Sequence, residues 1–239
     1  MCSRWLSRVR ASTKINGNTT GRRTPEMALP QSKLIYTAEE YLVFEREAVE
    51  RHEYLDGEIY EMAGESLAHG DICTNLVREL SNQLRGTRCR ALSKDMKVRS
   101  GPLLEASRST KGLFSYPDVV VVCGEPQFYD ARRDVLLNPN VIIEVLSPST
   151  EAFDRGEKFL RYRTHLASLT DYLLVSQDKC LIEHYRRMND RRWELIFVEE
   201  MESGVQIASI DCRLRLADVY DRVTFPDAPP EIPEAENEN

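Results

Sequence analysis

Apolar and polar positions along the chain follow two periods, and the switches between them outline the elements. Thr37-Ala-Glu-Glu40 reads as a capping box, in which the Thr hydroxyl and the third-position carboxylate each take an orphan amide. A short helix follows, with Tyr41, Leu42, Phe44 and Ala48 on its apolar face. Two alternating runs then flank Asp56-Gly57, a pair suited to a tight hairpin because both central residues need positive φ. From Leu67 to Leu84 the period becomes helical. Ile72, Leu76, Val77, Leu80 and Leu84 form one stripe, and Gly86 lies just past the end. Leu92–Arg99 reads as a more polar strand, and Ser100–Ser115 as a loop.

Asp118–Cys123 and Val141–Leu146 are continuous β-branched runs, the pattern of strands buried on both faces. The polar stretch Gly124–Asn140 joins them. A helix is predicted over Asp154–Leu166, then a short buried strand at Tyr172–Val175. Cys180–Arg186, Trp193–Glu199 and Val205–Ile210 read as antiparallel strands, and Ala217–Tyr220 as a last helical turn. No internal repeat is visible. The pattern predicts one α/β domain over residues 34–225, with mixed strands and helices on both faces.

Charge changes this picture at the ends. The 239 residues carry 32 Lys and Arg against 39 Asp and Glu, a net charge of −7. Arg4, Arg8, Arg10, Lys14, Arg22 and Arg23 face only Glu26 in the first 26 residues. That segment lacks the apolar core of a secretory signal. Its Arg- and Ser-rich composition fits either an organelle transit peptide or a disordered extension ahead of Met27, and the extension, residues 1–33, is the simpler reading. Residues 226–239 are acidic and proline-rich and read as a disordered tail. The longest apolar run, Val119–Cys123, is far short of the roughly 20 residues that cross a bilayer. A net-acidic chain does not draw nucleic acid by global charge, so any such role rests on a local site. The six cysteines form no CxxC pair and no zinc-ligand spacing with histidine. They read as reduced thiols of a cytoplasmic protein.

The chemical signal is an acid where none belongs. Glu144 stands in the middle of Val-Ile-Ile-Glu-Val-Leu, and a buried carboxylate costs several kcal/mol unless paired, protonated or metal-bound. Asp118 opens the preceding strand after Pro117. If the two strands are antiparallel neighbours, Asp118 and Glu144 converge at one end of the sheet, as hard oxygen ligands suited to Mg²⁺. Read separately, each acid also fits an edge position, a turn cap or an internal ion pair. Asp154, Lys158 and Tyr162 recur at intervals of four and share a helix face. Lys158 could orient water or offset phosphate charge, or pair with Asp154 at the surface, where Asp154 and Glu157 also resemble an N-cap box.

Tyr54-Leu-Asp-Gly-Glu58, His69, Tyr116-Pro-Asp-Val-Val-Val-Val122, Ile143-Glu-Val-Leu-Ser-Pro-Ser-Thr150 and Asp154-x-x-x-Lys158-x-x-x-Tyr162 together resemble the Uma2 family. These are restriction-endonuclease-like proteins of the PD-(D/E)xK nuclease superfamily, and the resemblance runs from Tyr36 to Arg222. It implies a restriction-endonuclease-like core, a central mixed β-sheet flanked by helices. It implies that Asp118 and Glu144 bind Mg²⁺, or Mn²⁺ in its place, for water attack on a phosphodiester. The superfamily lysine two residues after the second acid is Leu146 here, so the resemblance nominates Lys158 from the next helix. Glu58 and His69 match family blocks. Glu58 would be an extra metal-facing acid, and His69 would assist water activation or hydrogen-bond in the core.

The leading expectation is therefore a Mg²⁺-dependent endonuclease acting on DNA, working as a homodimer so that two sites address two strands. Lys94, Lys97, Arg99, Arg132 and Arg133 are candidates for a local basic patch. The alternatives are a non-catalytic nuclease-fold module that binds nucleic acid or protein, and hydrolysis of a different phosphoester by the same metal chemistry.

Overall fold

The computed structural model describes residues 7–8, 34–102 and 110–226. Of the predicted basic extension only β1 (Ser7–Arg8) falls in that range, paired antiparallel with Tyr60 and Glu61. The rest of the extension, and the tail beyond residue 226, lie outside the described residues.

The capping box forms as read. Thr37 Oγ1 accepts from Glu40 N at 3.2 Å, and the Glu40 carboxylate accepts from Thr37 N at 2.8 Å. It opens α1 (Ala38–Glu45), which buries Tyr41 and Leu42. β2 (His52–Leu55) and β3 (Glu58–Glu61) make the hairpin, with Asp56 at φ 47° and Gly57 at φ 98°. At Gly57 an added Cβ would stand 2.6 Å from Ile35 Cγ2, so both space and backbone favour glycine. α2 (Leu67–Gln83) buries Ile72, Leu76 and Leu80 along the predicted stripe.

The predicted strand Leu92–Arg99 is two strands in different sheets, β4 (Cys89–Ser93) and β5 (Lys97–Ser100). Lys94 and Asp95 turn the chain between them, and a single alternating run does not announce a change of sheet. The predicted loop ends in β6 (Leu113–Ser115). β7 (Val119–Cys123) follows, and the polar connection after it carries the short β8 (Val135–Leu136). β9 (Val141–Leu146) is buried throughout. Next comes a continuous helical segment: α3 (Glu151–Phe153), a π-helical turn (Asp154–Lys158) and α4 (Phe159–His165). β10 (Asp171–Ser176), β11 (Ile182–Asn189), β12 (Arg192–Val198), β13 (Gly204–Ile207), β14 (Cys212–Arg215) and α5 (Leu216–Val219) complete the chain.

The fold is mixed α/β, as expected. The central sheet has strand order β12-β11-β10-β9-β7-β4, and a second sheet has the order β1-β3-β2-β6-β5-β8. In the central sheet β9 and β10 are parallel, joined by the α3–α4 crossover, and every other pairing is antiparallel. One face packs Val119, Val121, Ile143 and Val145 against α2, β13, β14 and α5. The other face packs Val120, Val122, Ile142 and Leu174 against Phe159 and Tyr162 of α4 and against Val98, Leu113 and Leu136 of the second sheet. Helix and second sheet thus cover the same face, and a polar seam between them opens at the C-terminal end of β9.

Two expectations need correcting. Cys89 and Cys123 form a disulfide across the β4–β7 pair, where all six cysteines were read as reduced. The ladder register places these two residues directly opposite each other, and sequence spacing does not reveal register. The argument for a reducing compartment from cysteine usage therefore falls. What stands is that no helix among the described residues is long and apolar enough to cross a membrane. The proposed basic patch also dissolves. Lys97 is buried and pairs with Asp134 at 3.3 Å, and Arg99 is buried over the Phe114 and Tyr129 rings. Lys94 pairs with Glu65. Only Arg132 and Arg133 remain exposed.

Asp134 joins α1 to the second sheet, and its partners set an acid limit on that junction. Hydrogen bonds from Arg46, with the Lys97 charge behind them, hold its carboxyl down from 3.8 to about 2. A depressed carboxyl contributes stability that is complete above its unfolded value and fades as pH falls through the folded one. Asp134→Asn should therefore flatten the loss of stability between pH 3.8 and about 2. Parallel acid-unfolding curves for the two proteins, read by circular dichroism, would contradict it.

Candidate active site

Antiparallel pairing of β7 with β9 sets Val119 opposite Ile143, so Asp118 lies beside the Glu144 end of β9 as predicted. Both Asp118 oxygens are held. Oδ1 is 2.9 Å from His69 Nε2, and Oδ2 accepts from the Val145 amide at 2.7 Å. Burial pulls the His69 imidazole pKa down, but the Asp118 hydrogen bond and charge outweigh it and leave the net shift upward. His69 is therefore engaged with an acid of the site.

Glu144 is 3% exposed. The period of two puts it on the face with Ile142 and Leu146, toward the α3–α4 crossover. There the Tyr162 hydroxyl donates to Glu144 Oε1 at 3.2 Å, and the same hydroxyl meets Ser115 Oγ at 2.7 Å. Burial pushes the Glu144 carboxyl well above its ordinary value. Lys158 opposes that rise, and the negative neighbours Asp154, Asp118 and Glu53 add to it.

Lys158 is the centre of the arrangement. Its Nζ lies 3.1 Å from Glu144 Oε1, 3.1 Å from Asp154 Oδ1 and 3.4 Å from Glu53 Oε1. Burial alone would favour the neutral amine, but Asp154, Glu144 and Glu53 outweigh it and hold Lys158 charged. The surface reading of the Asp154–Lys158 pair therefore fails, since both residues are buried. So does the N-cap reading of Asp154. The helix starts at Glu151, and Asp154 enters the π-helical turn with Oδ1 turned to the Lys158 ammonium rather than to a backbone amide. π-turns within α-helices occur frequently at functional sites.

The acid that sequence reasoning missed is Glu53. In the hairpin it pairs with Tyr60, while Leu55 pairs with Glu58, so all four share a face. Glu53 is buried at the seam, where its Oε1 also accepts from the Tyr116 amide at 3.1 Å. Glu58, the acid the sequence nominated, sits next to the turn. It accepts from the Tyr60 hydroxyl at 3.0 Å and does not line the cavity described next. Alternation identifies a face but not which acid on it reaches deepest.

Glu53, Asp118, Glu144, Asp154, Lys158 and His69 line one cavity of about 920 Å³. Tyr60 and Lys94 lie at the same opening. Of the first six, four are carboxylates, and Glu50, Glu65 and Glu157 join them on the lining against Lys158, Lys94, Arg51 and one histidine. The donors are hard oxygens, negative charge is in excess, and Glu144 is driven toward holding a proton. These are the conditions under which a divalent cation takes the proton's place, so Asp118 and Glu144, with Glu53 beside them, fit such an ion.

Residues 38–217 match the family model Uma2, described as "Putative restriction endonuclease". Two uncharacterized proteins of Synechocystis sp. are similar. One is 38% identical over 161 residues, spanning 67% of this chain and 86% of its own length. The other is 35% identical over 187 residues, spanning 78% and 92%. A crystal structure from Anabaena variabilis, described as a "putative nuclease" of DUF820, superposes with a TM-score of 0.62 at 19% identity. It covers 77% of this chain and 97% of its own, a likeness of fold.

The ion cluster makes a stability prediction. Lys158→Met strands Glu53, Glu144 and Asp154 without their counter-charge and should cost about 3–5 kcal/mol. Glu144→Gln removes one of the crowded charges and should cost markedly less. Urea unfolding of the two variants checks the order, and equal losses would contradict it.

Proposed function

The chain belongs to the Uma2 family, and from that premise we propose that it is a Mg²⁺-dependent endonuclease that hydrolyses DNA phosphodiesters. The observation that carries the reading is the convergence of Asp118, Glu144 and Lys158, from β7, β9 and the crossover helix, in one cavity. Asp118 and Glu144 would hold the ion, with Glu53 as a further oxygen donor. Mn²⁺ would serve in the same place. When bound, such an ion lowers the pKa of its water and offsets charge on phosphoryl oxygens.

The chain's own residues prepare for that chemistry. The Val145 amide and His69 fix the Asp118 carboxylate from both sides, and Tyr162 fixes Glu144. Lys158 supplies a permanent positive charge beside Glu144. It can orient the attacking water or offset charge that builds on the scissile phosphate. His69 acts by holding Asp118 in place. Glu58 acts through Tyr60, at the rim of the cavity. The presence of all three charged members, Asp118, Glu144 and Lys158, argues against the alternative of a decayed binding module.

With the basic patch gone, positive charge near the opening rests on Lys94 and Arg51, both of which line the cavity. Affinity for DNA should therefore be modest and, with few phosphate contacts, should fall only shallowly with salt. A homodimer would set two such sites on the two strands of a duplex.

Plasmid and single-stranded DNA incubated with Mg²⁺, Mn²⁺ or EDTA test the reading. Cleavage should require the metal, and Asp118→Asn and Glu144→Gln should each slow it on the order of 100-fold or more. Cleavage that survives EDTA or both substitutions would overturn the assignment.

A further inference from the structure

Beside Asp118, the start of α2 and the residue before its cap present a different set of donors. His69 and Cys73, four residues apart, lie along one line of α2, and Glu65 stands just before the Ser66 cap, four residues ahead of His69. Their ligand atoms all lie within 4.8 Å of one another, and His69 Nε2 is 4.0 Å from Glu65 Oε2. Cys73, Glu65 and Asp118 line a second cavity, of about 580 Å³, while His69, with Glu65 and Asp118, lines the first. We propose that Glu65, His69 and Cys73 form a second metal site, for a borderline dication such as Zn²⁺, in which Asp118 is the shared fourth ligand.

The chemistry separates this site from the oxygen cluster around Glu144. A thiolate, an imidazole and a carboxylate suit Zn²⁺ and its transition-metal neighbours, whereas Mg²⁺ prefers oxygen alone. Metal–ligand bonds of about 2.0–2.3 Å in a tetrahedron set the donors roughly 3.3–3.8 Å apart. Glu65, His69 and Cys73 offer donor atoms within 4.8 Å of one another, so they must draw together by about an ångström, and Glu65 is exposed and free to move. His69 Nε2 already faces Asp118 Oδ1 at 2.9 Å. A cation there would replace the proton the two share and bridge nitrogen to oxygen. Lys94, which neutralises Glu65, is partly exposed and can swing to solvent. On binding, Cys73 gives up its thiol proton to solvent, so one proton is released from that residue per ion.

The test reads metal binding alone and is independent of the nuclease reading. Metal-free full-length protein, with the Cys89–Cys123 disulfide kept oxidised, is titrated with Co²⁺ and then Zn²⁺. One equivalent of Co²⁺ should produce a thiolate-to-cobalt charge-transfer band and intense tetrahedral visible bands, and Zn²⁺ should displace both. Cys73→Ser should abolish the charge-transfer band, while Cys180→Ser retains it. Glu65→Gln, an exposed change that spares the core, should weaken Zn²⁺ binding at least about tenfold in competition with a chelator. A spectrum without the charge-transfer band, a band that persists in Cys73→Ser, or unchanged Zn²⁺ affinity in Glu65→Gln would overturn the proposal.

Discussion

The buried ammonium of Lys158 organises this molecule. Lys158 has almost no access to water, and an ion in that position is tolerable only when its charge is met at close range. The charges that meet it come from β2 of the second sheet, from β9 of the central sheet and from its own helical turn. Placing one side chain therefore fixes the approach of two sheets and the crossover helix. Acid and base depend on each other here. Without Lys158 the carboxylates could not crowd together, and without them the lysine would shed its proton.

The surroundings keep the cluster in register. Tyr162 spans from Ser115 to Glu144, so a hydroxyl on α4 links the second sheet to β9. Beneath Glu53, the Tyr116 hydroxyl donates to Glu45 at 2.6 Å, and Glu45 in turn engages the His52 ring at 3.0 Å. Lys97 donates to the Tyr116 hydroxyl at 3.1 Å and leads on to Asp134. Groups held by several partners would lose little freedom if a charged ligand bound, as the proposed chemistry would require.

Much of this was legible in the sequence because it rests on local rules. The capping box, the Asp-Gly turn, the α2 stripe and the two β-branched strands each depend on neighbours a few residues away. The convergence of Asp118 and Glu144 needed one further assumption, antiparallel pairing, and the structure has it. What escaped depends on contacts between distant segments. Glu53 and Glu58 share a face of one hairpin, and only the packing of that hairpin against the crossover helix decides which reaches Lys158. Lys97 and Arg99 read as surface cations because nothing local reveals Asp134 or the Phe114 ring. Cys89 and Cys123 are separated by 34 positions and meet only through strand register.

That cross-strand bridge has a topological consequence. It closes a covalent ring from β4 to the end of β7, and the ring contains β5, β6 and Asp118. Glu53, Glu144 and Lys158 all lie outside it. Because the bridge survives unfolding, the denatured chain would retain one closed loop that carries the first acid of the site, with its conformational entropy already reduced by roughly 3–4 kcal/mol. Assembly of the site would then amount to docking a tethered segment against free ones, and the redox state of the surroundings would set how far apart its parts can drift before they meet.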